Sequence, residues 1–353
     1  MKVGFVFHKD PCSSPAGIDI IRLNALTGGL RKRGLQVDIV APVEKMSRTA
    51  GGVPVYPLHH LQNGARYDVL KTCYHFSIEL IGNFVGPVVS RIVRVVDDAL
   101  PERDMVWRER LMKCQEMIRE RSSVVVLNNW ENARRWRTFY RKPASVMLIP
   151  TGCPSILPRK GKSPYDHDEP AILFLGSLAS PRIVAMINAL AAGLQDIARL
   201  HHIGLSKSHL YGQGEAWELS PLIVRHGELP EETIWNYIRH ARVGLAIAPG
   251  PHPFDNDLSK IYSYLRGGLP VLTEEHIVNN ELVRDLDWGA VFRYGDVEDA
   301  MAKAVMVMGK RWCGREKQVM THMAREHAWE NRVDQYLKLF QRFQVAKQSK
   351  CPY

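Results

Sequence analysis

The chain has 353 residues, too many for one ordinary domain and enough for two of about 150–180 residues each. Its 45% hydrophobic and 24% charged content is that of a soluble globular protein, and the longest apolar stretch, over 78–89, is broken by Glu79, Asn83 and Pro87, which argues against a membrane-spanning helix. The six cysteines are scattered without Cys-x-x-Cys spacing, so neither structural zinc nor a disulfide framework is expected, while a net charge of +10 asks for an anionic partner: nucleic acid, lipid headgroups or a phosphorylated substrate.

The opening residues, Met1-Lys2-Val3-Gly4-Phe5, lack the pattern of a secretory signal and read as a first buried strand, so a cytoplasmic protein is expected. That strand ends on His8, Lys9 and Asp10, at the ligand-facing end of a parallel sheet. A helix over 17–33 follows, then strands at 36–41, 53–56 and 68–72, with His75 just past the last. Apolar, β-branched runs at 91–96 and 123–127 read as further strands, with a helix over 103–121 between them. Such near-continuous Val/Ile runs suit a parallel sheet covered on both faces. Asp97 and Asp98 stand at the carboxyl end of the run 91–96. A carboxylate there is placed to act as a general base, although paired acids after a strand equally cap helices. His75 is a third candidate for that base. The segment 130–142 is helical, basic and aromatic, a surface suited to anionic lipid, less so to nucleic acid, or simply solvated. A strand at 146–149 closes this half.

Pro158, Pro164 and Pro170 punctuate a charged stretch read as an interdomain linker over 156–170. The alternation then restarts, with strands at 171–175, 200–203, 222–226, 243–248, 271–273 and 290–292. Helices are expected between them, at 231–240, 259–266, 278–285 and 297–308. The chain finishes in a helical pattern over 315–343, interrupted near Glu326-His327-Ala328-Trp329. The fold class is therefore α/β: two Rossmann-like, doubly wound parallel-sheet domains facing a cleft, since ligands bind at the carboxyl ends of such strands. The expected division is 1–155, a linker 156–170, 171–325, and 326–353 returning to the first domain.

The second half carries the sharpest chemical signals. Ser259-Lys260-Ile261 opens a short helix that Gly267-Gly268 ends and Pro270 stops. A lysine in a first helical turn adds charge to N–H groups already lacking partners, which makes a phosphate or diphosphate site. Gly176-Ser177 follows a strand and allows close approach of backbone to a pyrophosphate, with Arg182 in the next helix as added charge or a solvated residue. Glu228 and Leu229, in His226-Gly227-Glu228-Leu229-Pro230, form a turn that either reads a nucleotide base with its backbone or only starts a helix. Asp255, Asn256 and Asp257 lie in the proline-rich loop before the lysine helix. That loop is expected over the donor sugar, with Asp255, Asn256 and Asp257 as hydroxyl acceptors, although Asp257 or Ser259 equally suits an N-cap.

Taken together, Gly227-Glu228, Tyr237-Ile238-Arg239-His240-Ala241-Arg242-Val243-Gly244, Ser259-Lys260-Ile261 and Gly267-x-x-Pro270-Val271 resemble the donor half of GT-B glycosyltransferases. The likeness is to family 4, and within the second half to the glucuronosyltransferase branch of xanthan assembly. The resemblance implies a metal-independent hexosyltransferase that needs no cofactor beyond a nucleotide-sugar co-substrate, expected to be a UDP-sugar. It implies a saccharide or lipid-linked acceptor in glycan synthesis, Asp97 as base, and Lys260 neutralising the leaving group. Many family 4 members carry a glutamate where this chain has Ser263, and serine cannot chelate the ribose diol as a carboxylate does. Retention and inversion of the anomeric centre both stay open. The rival readings are a nucleotide-sugar epimerase of GT-B-like fold, a catalytically weak nucleotide-sugar-binding protein and a DNA-modifying glucosyltransferase.

Overall fold

The structure, a computed structural model, describes residues 1–13, 17–62, 66–96, 107–140, 145–165, 169–206, 218–251, 258–312 and 314–348. The elements run β1 (Lys2–Val6), α1 (Ile18–Lys32), β2 (Gln36–Ala41), β3 (Ser47–Arg48), β4 (Pro54–Pro57), α2 (His59–Gln62), β5 (Val69–Thr72) and β6 (Val88–Ile92). Next come α3 (Arg108–Arg121), β7 (Val124–Leu127), α4 (Trp130–Phe139), β8 (Ser145–Leu148), β9 (Ala171–Leu175), α5 (Pro181–Gly193), β10 (Arg199–Ile203) and β11 (Ile223–Arg225). The chain continues with α6 (Glu231–His240), β12 (Val243–Ala246), α7 (Ser259–Arg266), β13 (Val271–Glu274), α8 (Glu281–Asp285) and β14 (Gly289–Phe292). It ends with α9 (Val297–Gly309), α10 (Glu316–Glu326) and α11 (Trp329–Gln348).

These elements form two compact units. Unit 1 holds the described residues up to 96, those of 107–152, and α11; unit 2 holds the described residues of 153–328. In unit 1 an eight-stranded sheet has the order β3-β4-β2-β1-β5-β6-β7-β8, parallel except for the β3–β4 pair at one edge. Unit 2 has a six-stranded parallel sheet in the order β11-β10-β9-β12-β13-β14. Strand order reverses between β1 and β5 in the first sheet and between β9 and β12 in the second. A doubly wound sheet opens a crevice at such a reversal, outside the carboxyl ends of its strands.

Period-two alternation fills both faces of each sheet. In β9, Ile172 and Phe174 join the core beneath α5 and α9, while Leu173 and Leu175 join the core beneath α6, α7 and α10. In unit 1, α11 packs on α1 and contributes Val333, Tyr336, Leu339 and Phe340 to one core. A Cβ on Gly29 would come 2.4 Å from Val333, so the two helices approach at a point only glycine permits.

Two expected elements change on folding. The run 91–96 is not one strand: β6 stops at Ile92, and the backbone of 93–96 bonds to side chains instead. The Val95 N–H donates to Asn132 Oδ1 (3.0 Å), the Val96 N–H to Gln115 Oε1 (3.0 Å), and Asn132 Nδ2 donates to the Val93 carbonyl (2.9 Å). Helix 103–121 is described only as α3. The proline-rich segment is no free tether either. Arg239 Nη1 donates to the Pro158 carbonyl (2.6 Å), the Gly161 N–H to Asn236 Oδ1 (3.0 Å), and Tyr165 Oη to the Tyr237 carbonyl (2.9 Å). All three partners lie on α6, which straps the segment to unit 2.

Candidate active site

The start of α7 is set by a clamp and left open. Asn279 accepts from the Leu258 N–H (3.0 Å) and donates to the Leu258 carbonyl (2.8 Å), fixing the residue at the cap position. Leu258 is extended and has no side chain to cap with, and Ser259 is already helical. The Ile261 N–H donates to the Leu258 carbonyl (3.2 Å), whereas the Ser259 and Lys260 N–H groups at the positive end of α7 have no acceptor among the described residues. One turn on, Tyr264 is fully buried at the β9–β12 reversal. Its hydroxyl accepts from the Leu175 N–H (2.8 Å) and faces the carbonyls of Leu173 (3.0 Å) and Leu245 (3.2 Å). Gly244 makes room, since a Cβ there would sit 2.6 Å from the tyrosine ring.

Residues four apart share a helix face, so seating Tyr264 aims Lys260 at the same reversal. Lys260 Nζ lies 3.9 Å from the centre of the Phe174 ring, and only 3.3 Å from where a Gly176 Cβ would stand. Gly176 has φ +110, a backbone state that also favours glycine. Among the described residues no carboxylate pairs with Lys260, and desolvation lowers its pKa to about 7. The Gly176 N–H is not free for a phosphate, because it donates to the Ile203 carbonyl (2.9 Å). Its contribution is the missing side chain, while the next N–H, that of Ser177, has no protein acceptor among the described residues. A lysine, the Ser259 and Lys260 N–H groups and a glycine turn are thus brought together, and together they can bind a diphosphate.

No family model matches the chain, and no curated protein matches it in sequence. Solved structures do match it along its whole length. Sucrose-phosphate synthase from Thermosynechococcus elongatus superposes with a TM-score of 0.77 at 15% identity, covering 98% of this chain and 99% of that one. HepE from Anabaena, in complex with UDP and glucose, gives 0.72 at 13% identity over 97% and 99%. The catalytic domain of starch synthase IV from Arabidopsis thaliana, bound to ADP and acarbose, gives 0.69 at 12% over 97% and 99%. The chain has the GT-B glycosyltransferase fold.

In that GT-B frame the other expected donor residues separate. Gly227 has φ +68, and its carbonyl accepts from the Gly204 N–H (2.8 Å). Beneath it, His226 Nε2 meets His201 Nδ1 (3.0 Å) and His226 Nδ1 meets Tyr237 Oη (3.2 Å), so the turn is propped from below. Leu229 packs into the core and Glu228 is exposed. Ser263 bonds back to the Ser259 carbonyl (3.5 Å). Arg182 is not a free phosphate ligand. It pairs with Glu274, its Nη1 donates to the Ala248 carbonyl (2.6 Å), and its guanidinium lies 4.0 Å over the Tyr294 ring. Glu274 is fully buried and also accepts from the Ala248 and Gly295 N–H groups (both 2.8 Å). A buried carboxylate recruits the nearest guanidinium before any ligand can. Asp257, with Asp255 and Asn256, lies outside the described residues.

Of the acceptor-side residues, Asp97 and Asp98 also lie outside the described residues, but the backbone leading to them is the segment held by Asn132 and Gln115. His75 is not placed to act as a base. It is fully buried, its Nδ1 bonds Gln115 Nε2 (3.2 Å), and burial with the nearby arginines lowers its pKa to about 3. His8 is half-buried and stacked on Tyr74 (4.8 Å), and burial followed by the Lys9 charge lowers its pKa to about 4, so it is a neutral ring at pH 7. Lys9 pairs with Asp19 (2.7 Å), and Asp10 accepts from the Cys12 N–H (2.8 Å) within its loop. Among the described residues no group of three or more His, Cys, Asp or Glu is placed to hold a metal ion.

Sequence reasoning missed Asn279, Glu274 and Tyr264. Only Glu274 left a signal, an acid directly after an apolar strand.

Proposed function

We propose that the protein is a glycosyltransferase that moves a sugar from a nucleoside diphosphate donor, a UDP-sugar, to a saccharide or lipid-linked saccharide acceptor. The observation that carries this reading is Lys260, in the first turn of α7 and against the Gly176 turn, with no carboxylate partner among the described residues. The donor diphosphate fits there, restoring full charge to the lysine. As the C1–O bond breaks, its electron pair goes to the β-phosphate oxygen, and Lys260 with the helix N–H groups stabilises that charge. The acceptor oxygen bonds to C1, and Asp97 takes its proton. The chain's own positive charge fills the role that a divalent cation has in other sugar transferases. The turn Gly227-Glu228-Leu229 reads the base with its backbone.

We also propose kinship with family 4 and the xanthan-assembly branch, a reading supported by the motif segments of the second half. A lipid-linked acceptor is favoured by α4, whose surface carries exposed Trp130, Phe139 and Arg137, suited to an anionic membrane interface. Trp136 on the same helix is core. Among the described residues no helix is long and apolar enough to cross a membrane.

The test is a panel of nucleotide sugars followed by UDP affinity and slow donor hydrolysis. Lys260→Ala should cost about 3 kcal/mol of transition-state stabilisation, roughly two orders of magnitude in turnover. Turnover should persist in excess EDTA. Unchanged UDP affinity and turnover in Lys260→Ala, or a complete loss in EDTA restored by a divalent ion, would each overturn the reading.

A further inference from the structure

Unit 1 buries two cations that no carboxylate pairs among the described residues. Lys71 and Arg91 are 1% and 3% exposed, in strands whose other residues are all uncharged. Both point to the face covered by α1 and α11, because Val69 and Val89, two residues earlier in each strand, enter that core. Lys71 pairs in register with Phe5 on one side and Val89 on the other, beside the β1–β5 reversal. Its Nζ lies 5.2 Å from the Phe5 ring centre and 5.3 Å from that of Tyr336, with Cys73 close by. Arg91 Nη1 is buried without a hydrogen-bond partner, and among the described residues no carboxylate pairs with either side chain.

Two further arginines frame the place. Arg22 of α1 reaches the Thr151 hydroxyl (3.4 Å), and Arg332, one turn before Tyr336 on α11, donates to the Thr151 carbonyl (3.2 Å). An arginine cannot shed its proton to escape burial, and an unpaired buried charge is among the costliest features a fold can hold. Lysine can shed its proton, and burial lowers Lys71 to about 8, with Arg91 and Arg22 pushing the same way. The Phe5 and Tyr336 rings and the Cys73 thiol surround Lys71 but supply no carboxylate to balance the two cations.

We propose that Lys71 and Arg91, framed by Arg22 and Arg332, bind a phosphoryl group, as a phosphate ester or a diphosphate, carried by the acceptor. Naming the acceptor rests on the glycosyltransferase reading; the anion site itself does not. The depth of Lys71 and Arg91 excludes a flat charged surface such as duplex DNA or a bilayer, which meets exposed side chains. Two cations without a described carboxylate partner match a dianion better than a single carboxylate, and a guanidinium fork suits phosphoryl oxygens in particular.

The full chain is titrated calorimetrically with pyrophosphate, with acetate as the carboxylate control, beside Lys260→Ala, Arg91→Gln and Lys71→Met. Lys260→Ala should keep one pyrophosphate site, whereas Arg91→Gln and Lys71→Met should weaken it at least tenfold and leave UDP affinity unchanged. Pyrophosphate binding lost in Lys260→Ala but kept in the other two overturns the inference while leaving the donor site intact. Absence of UDP binding in every protein sinks the glycosyltransferase reading alone, because the pyrophosphate arm stays readable. Acetate competing as strongly as pyrophosphate also overturns it. Should Arg91→Gln fail to fold, Lys71→Met decides. It should melt higher than wild type without ligand, having lost a buried charge, and gain nothing from pyrophosphate; an undiminished gain refutes the site. Farnesyl diphosphate in micelles and glucose 1-phosphate then separate a lipid-borne from a soluble source, and failure of both to bind rejects the proposal.

Discussion

Proton balance at Lys260 follows from its surroundings. The ammonium faces Phe174 and a glycine turn, with no described carboxylate beside it, and its pKa falls from 10.5 to about 7. The unfolded chain keeps a proton at this position up to about pH 10, whereas the folded chain loses it near 7. The unfolded state therefore binds more protons across that window, and stability from this group rises with pH between the two values. Lys71, at about 8, contributes with the same sign. Lys260→Met should flatten the rise in unfolding free energy measured by urea titration from pH 7 to pH 9.5. A bound diphosphate reverses the shift, so UDP binding at pH 8.5 should take up close to one proton. Calorimetry in buffers of differing ionisation enthalpy reads this directly, and uptake that persists in Lys260→Met would assign the proton elsewhere. Lys260 was legible because its helix position is local. The fate of Arg182 was not, because its partner Glu274 is 92 residues away and only folding brings it near.

The lysine helix was readable as an element, because α7 is bounded by local signals: a lysine-bearing start and a Gly-Gly stop. Its seat was not readable. Tyr264 looks like any apolar-face aromatic until the sheets are built, when its hydroxyl closes the reversal between β9 and β12. Tyr264→Phe leaves the buried Leu175 N–H without its acceptor and should cost about 1–3 kcal/mol by chemical denaturation. Because Lys260 rides on the same helix face, UDP affinity should fall together with stability. A variant that loses stability but keeps UDP affinity would show that α7 does not depend on this bond for its aim. The segment 93–96 misled the reading in the opposite direction. Val93, Val95 and Val96 carry the apolar, β-branched signature of a strand, but their backbone is claimed by two side-chain amides from α3 and α4. Periodicity cannot register an amide that arrives from another helix.

At the scale of the whole molecule, two doubly wound sheets follow from alternating apolar runs, and the class of fold was legible for that reason. The boundaries depend on contacts made far along the chain. The proline-rich stretch looked like a tether because prolines cannot extend a helix or a central strand, yet its carbonyls are taken up by α6. Unit 1 is completed only by α11, whose Phe340 is fully buried and meets Phe5 edge-on at 6.5 Å. Phe340→Ala should destabilise unit 1 by about 3–5 kcal/mol. Hydrogen exchange should show the loss in β1, β2 and α1, with amides of β9 and β12 unaffected. Equal loss in both units would mean that they unfold as one.

The chain passes from unit 1 to unit 2 after Gly152 and back after Ala328. Cys153 bridges to Ala328 in parallel, and the Cys153 N–H donates to the His327 carbonyl (2.9 Å), so unit 2 begins and ends side by side. Unit 2 is thus an insertion within unit 1, closed at its neck. A ribosome delivers the strands of unit 1 and α1 first but withholds α11 until unit 2 has been made. Meanwhile the whole of unit 2 emerges and can fold on its own contacts. The half that appears first must wait, with one face of its sheet covered by α1 but not yet by α11, for the half that appears second. In a crowded cell that interval, rather than the finished molecule, is where the chain is most open to capture by a chaperone or by another copy of itself.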